Sequence, residues 1–271
     1  MAEALADRGY AQGLGRAFGG ALIFSFPLLM TMEMWELGLN MSRLRLALFL
    51  ALGCPLVLGL AFYAGFREVD GCTDDLLDGL AALTVGFVVS ASMLCLLGVI
   101  DVQDPFHLNV GKVALQAIPA AMGAVLARKQ LAGTGSGKGE DDHPASYRGE
   151  LFLMAAGALF LAFNVAPTEE MVLIAYLMEP LHSVALVVVS LLLLHLLVFR
   201  LGFAGEEAHE GHVRAFWDFT LPGFGIALLI SLYVLWTFGR LDGLAPAEIV
   251  STMIVLGLPA SFGAALARLV V

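Results

Sequence analysis

The chain has 271 residues, 59% hydrophobic and 14% charged, with a mean hydropathy of +0.87. A soluble domain carries about 45–50% apolar and about 25% charged residues, so this composition excludes a soluble enzyme, a disordered chain and a nucleic-acid binder. The net charge of −10 makes polyanions poor partners. The expected class is an all-α, polytopic integral membrane protein.

A spanning helix needs about 20 mostly apolar residues. Eight stretches qualify: 16–35, 44–66, 76–100, 110–128, 151–171, 181–203, 216–238 and 249–269. They are apolar on all sides, which favours helices over the alternating strands of a barrel. The first follows a mixed leader, 1–15, and is too long for a signal-peptide core, so it is expected to stay in the membrane. Cys54, Cys72 and Cys95 form no C-x-x-C pair and are read as small buried hydrophobes.

Lys and Arg concentrate on cytoplasmic loops. With eight spans, one side collects ten of the 14 basic residues, among them Arg67, Arg128, Lys129, Lys138, Arg148, Arg200 and Arg268. The other side holds Arg43, Arg45, Lys112 and Arg240. Both termini are therefore expected in the cytoplasm.

Internal repetition is visible. AIPAAMGAVLAR, from Ala117, matches GLPASFGAALAR, from Gly257. GALIFSFPLLMTMEM, from Gly20, matches GALFLAFNVAPTEEM, from Gly157, and GVIDVQDP, from Gly98, matches GRLDGLAP, from Gly239. The expected architecture is two parallel tandem four-helix repeats, 16–128 and 150–271, joined by a Gly/Ser/charge-rich linker, 129–149. Even span counts set both repeats in the same direction, related by an axis along the membrane normal. In the first block, Gly123/Ala127 and Gly263/Ala267 are small residues four apart, which let helices approach closely in lipid. Pro119 and Pro259 are expected to kink their helices.

Ionisable residues at membrane depth are the functional candidates. Glu33 and Glu170 end the first helix of each repeat, each two residues after a threonine, Thr31 or Thr168. Interfacial carboxylates facing water would look alike; recurrence in both repeats favours a paired cation site. Asp101 and Asp242 end the third helices on the same side, where four carboxylates would suit a hard cation such as Ca²⁺, Na⁺ or K⁺. A loop aspartate before a turn proline is the plainer reading of that pair. Phe18, Leu22, Phe26 and Leu29 run down one face of the first helix, as a pore lining or as a core or lipid-facing stripe. His195, inside LLLLHLLVF, is a candidate proton relay, or else a histidine satisfied at a helix interface. Asp78 and Asp218 read as helix-start acids. His209 and His212 with Glu206, Glu207 and Glu210 read as a solvated loop cluster. No G-x-S-x-G, H-E-x-x-H or P-loop is present, and no enzyme activity or cofactor is expected.

The run RAFGGALIFSFPLLMTMEMWELG, from Arg16, and GKVALQAIPAAMGAVLARKQ, from Gly111, resemble a family of bacterial integral membrane proteins with no assigned activity. The resemblance implies a bacterial inner-membrane location and carries over no functional residue. The function expected from the residues is a cation channel with an outer acidic site. The alternatives are a proton- or cation-coupled transporter with His195 as coupling residue, and a non-transporting assembly protein. Partners are expected to be the bilayer, inorganic cations and a second copy of the chain.

Overall fold

The computed structural model describes residues 2–63, 72–101, 103, 105–132, 146–200 and 212–270, all helices and turns. Most of the linker, the loop bearing Arg67, and the cluster of Glu206, Glu207, His209 and Glu210 lie outside them. The helices are α1 (Ala2–Leu29), α2 (Met32–Asn40), α3 (Arg43–Tyr63), α4 (Cys72–Leu96), α5 (Phe106–Ala132), α6 (Tyr147–Val165), α7 (Glu170–Leu177), α8 (Pro180–Arg200), α9 (His212–Ala215), α10 (Leu221–Thr237) and α11 (Pro246–Val270), with a π-helical turn at Phe216–Thr220. Seven are long and apolar enough to cross a membrane, and the pair α1–α2 makes an eighth if counted as one bent span. The chain is therefore a multi-pass membrane protein. Its helices fall into two compact units, Met1–Gly139 and Glu140–Val271.

The same order runs through each unit: a long helix, a short one, then three more long elements ending in a central helix. In the first unit α5 is central, packed by α1, α2, α3 and α4. In the second α11 is central, packed by α6, α7, α8 and α10. Burial does not follow hydropathy. The strongly apolar α8 has 17% of its span buried, while the less apolar α5 has 83% buried. Lipid is as apolar as leucine, so a helix gains a central place by close packing rather than by greasiness. Every residue from Ala114 to Val125 is buried, half of them alanine or glycine.

The small-residue stripes find their partners within each unit. A Cβ on Gly123 would meet the Gly20 carbonyl at 2.8 Å, and one on Gly20 would collide with Ala127. In the second unit a Cβ on Gly157 would collide with the Gly263 carbonyl and with Ala267 at 2.5 Å. The backbones of α1 and α5, and of α6 and α11, thus touch directly. The helices run on through Pro119 and Pro259.

Where the sequence predicts one straight span over 16–35, the chain breaks at Met30–Thr31 and turns by 83° into α2. The last four carbonyls of a helix have no partners within it, and in a bilayer they cannot be left bare. Here all four are satisfied locally. Phe26 O accepts from Met30 N and Leu28 O from Thr31 N. Pro27 O accepts from the Thr31 hydroxyl, and Leu29 O from the Trp35 indole at 2.8 Å. The span expected over 151–171 likewise stops at Val165, whose carbonyl takes the Thr168 amide and hydroxyl.

Two further turns match. Gly98 and Gly239, at φ 70° and 73°, end α4 and follow α10. In each, the next residue donates back to a carbonyl five positions earlier, Val99 N to Leu94 O and Arg240 N to Leu235 O, both at 2.9 Å. This closure needs a left-handed residue, which glycine adopts without strain.

Candidate functional site

The predicted acidic residues occupy helix starts and turns rather than helix ends. Glu33 lies in the first turn of α2 and Glu170 opens α7. A carboxylate there meets the positive end of a helix dipole, a local reason for it to recur. Glu33 is half-buried, Glu170 exposed. Neither forms an ion pair with a described residue. Thr31 and Thr168 spend their hydroxyls on Pro27 O and Val165 O, as helix-end caps.

Asp101 and Asp242 do not end helices; each lies in the turn beyond one. Both are exposed, and Asp101 accepts the Gln103 amide at 3.0 Å in a local turn. Among the described residues no three His, Cys, Asp or Glu side chains converge to hold a metal ion. The stripe on α1 meets two environments: Phe26 is 45% exposed, whereas Leu29 is fully buried. Phe18 and Leu22 are intermediate. Asp78 lies inside α4, not at its start.

Two basic side chains clamp these turns. Lys112 is 7% exposed on α5, and its ammonium donates to Val99 O at 2.6 Å. Arg240 donates to Pro167 O and pairs with Glu169 at 3.7 Å, tying the turn before α11 to the α6–α7 corner.

The most developed polar arrangement surrounds His195, at the end of the second unit where α6 begins and α8 finishes. His195 sits 15 residues into α8, so about 22 Å along it at 1.5 Å per residue. Its Nδ1 lies 2.9 Å from the Thr220 hydroxyl, which is fully buried. Its ring packs edge-on to Phe216 at 5.6 Å. Both partners belong to the π-helical turn, where Leu221 N donates to Phe216 O, five residues back.

That turn has a cause in the sequence. Pro222 has no N–H and cannot donate to Asp218 O four residues earlier. The freed carbonyl takes the Tyr147 hydroxyl from the start of α6, at 3.0 Å. The Asp218 carboxylate pairs with Arg214 at 3.3 Å. The widened turn carries Thr220 to His195, and such turns often mark functional positions. The sequence singles out His195 but not Thr220 or Tyr147. The spacing from Asp218 to Pro222 is the signal that reaches them.

Other polar groups are buried with no hydrogen-bond partner among the described residues. In the first unit Gln116 of α5 is fully buried and neither amide atom is hydrogen-bonded to a described residue; the Ser90 hydroxyl of α4 is in the same state.

No curated protein and no solved structure matches the sequence. One family's pattern covers residues 13–271, nearly the whole chain, and its description is "putative integral membrane protein (DUF2391)". With spans, turns and family in agreement, the chain belongs to this family of integral membrane proteins.

Proposed function

We propose that the chain moves a cation across the bilayer, with a proton handled at His195. The observation that carries this reading is the His195–Thr220 hydrogen bond at a π-helical turn within the spanning region. Imidazole is the side chain that changes charge near neutral pH. A hydroxyl can donate to or accept from its nitrogen, so either tautomer keeps a partner. An ionisable group at membrane depth is costly and most often serves transport. Gln116 and Ser90, buried with no partner among the described residues, suit side chains that meet water or solute during a cycle.

In this reading the two units are tandem repeats inserted in the same direction, with both termini cytoplasmic in a bacterial inner membrane. Lipid and inorganic cations are the partners, a second copy completes a dimer, and no enzyme activity, cofactor or nucleic acid is involved. The supporting facts are the uneven basic residues and the matching sequence blocks.

A channel with an acidic site is the second reading. It is favoured by Glu33 and Glu170, which open short helices at like places in both units and form no ion pair with a described residue. Cation flux in proteoliposomes separates the two. Loss on His195→Gln, with flux retained in the Glu33→Gln, Glu170→Gln double variant, supports proton handling. The reverse pattern supports the channel. Absence of any flux leaves the assembly protein.

A further inference from the structure

The stripe of α5 that packs on α1 carries an amide where packing alone asks for an apolar side chain. Gly20 lies beside Ala127 and Phe24 beside Gly123, so α1 and α5 run antiparallel. Two turns from Gly123 on the same stripe, Gln116 comes level with the end of α1 at Leu29. One turn further, Lys112 meets Gly38 of α2. Gln116 therefore lies under the corner where α1 breaks into α2. Ser90 of α4 is at the same height: Gly86 meets Ala117 and Ala121 of α5, and Ser90 is one turn beyond Gly86.

The packing does not require either polar group in this state. The segment that starts at Ala117 recurs at Gly257, which sets Leu256 in the place of Gln116, and both residues are fully buried. Leucine and glutamine are close in volume, so the position packs without an amide. Ser231, which precedes Gly239 as Ser90 precedes Gly98, returns its hydroxyl to Ala227 O at 2.7 Å. Ser25, Ser190 and Ser261 likewise bond the carbonyl four residues back, and Ser90 does not. A buried amide with no partner costs stability, and a ligand that supplies the partner accounts for its presence.

We infer that Gln116 and Ser90 mark a binding site for a monovalent alkali cation at the α1–α2 corner. The C-terminal end of α1 brings about half a negative charge to this level. Leu28 and Leu29 are buried, and their carbonyls accept from Thr31 N and the Trp35 indole. A carbonyl oxygen has a second lone pair to offer. With Gln116 Oε1 and Ser90 Oγ these are neutral oxygens, which suit Na⁺ or K⁺, whereas Ca²⁺ and Mg²⁺ take carboxylates. Lys112 holds its ammonium at Val99 O, a charge that opposes a divalent ion twice as strongly as a monovalent one. The site deepens the cation-moving reading and rests on it for its role, but it lies in the first unit and does not involve His195.

The test is thermal unfolding of the purified full chain in neutral detergent, in NaCl, KCl or choline chloride of equal ionic strength. NaCl or KCl is expected to raise the unfolding midpoint by about 2 °C or more over choline chloride. Gln116→Leu and Gln116→Met are expected to abolish that rise and, in choline chloride, to unfold no lower than wild type, as Leu256 implies. Ser90→Ala is expected to raise the half-effective salt concentration about threefold or more. Equal midpoints in all three salts, a rise kept in both Gln116 variants, lower midpoints of both in choline chloride, or an unchanged Ser90→Ala response overturns the assignment. Stabilisation by the cation without flux in proteoliposomes contradicts transport and leaves the site standing; flux without stabilisation does the reverse.

Discussion

Gly157 and Gly263 hold α6 and α11 so close that neither position has room for a Cβ. Gly20 and Gly123 do the same for α1 and α5. Each contact lies where a central helix meets the helix that opens its unit.

Substituting Gly157 or Gly20 by alanine forces those helices apart. The expected loss is about 1–3 kcal/mol, the usual cost of overpacking, read as a lower unfolding midpoint in detergent. Gly225→Ala is the control. Gly225 lies on α10 with nothing within 4 Å of the added carbon, so a helical gain of about 0.5–1 kcal/mol is expected there. Equal effects at Gly157 and Gly225 would contradict the close-packing account.

The turn glycines make a second pair. Gly98→Ala and Gly239→Ala place a side chain at positive φ. Each should cost about 1–2 kcal/mol, again by unfolding midpoint, although Gly98 has open space around it.

Arg240 should be more sensitive than its partial exposure suggests. Arg240→Leu removes the donor to Pro167 O and the partner of Glu169 together. A loss of about 1–3 kcal/mol is expected, since a shielded carbonyl is left unpaired. Glu169→Gln, at a carboxylate 84% exposed, should cost about 0–1 kcal/mol.

Much of this fold was legible before any coordinates. Long apolar runs located the spans, and the small residues around Gly123 and Gly263 announced close packing. Their partners, Gly20 and Gly157, were not legible, because a contact between helices leaves no local pattern. The 83° break after Leu29 was missed because hydropathy records composition and not direction; Met30–Asn40 continues the apolar run. Its signs were nonetheless present, with Pro27 four residues before Thr31 and Trp35 just beyond. Recurrence drew the reading to Glu33 and Glu170, yet the start of a short helix supplies a local reason for an acid at both places. His195 stood out by its setting. Its partner Thr220 depended on a π-helical turn traceable only to the missing N–H of Pro222.

Thr220→Val keeps the shape of the side chain and removes the hydroxyl that meets His195. Under the proton-handling account it slows flux by about tenfold or more, as losing a buried hydrogen-bond partner implies. Thr220→Ser restores most of it. If Thr220 were only a packing residue, valine would be the milder change and serine the harsher.

The most direct measurement is proton flux into proteoliposomes holding the purified full chain, with an imposed pH gradient and a trapped pH-sensitive dye. The account predicts flux well above empty vesicles, lost on His195→Gln while that variant keeps the wild-type unfolding midpoint. Flux equal in wild type and His195→Gln, or no flux above empty vesicles, would contradict it.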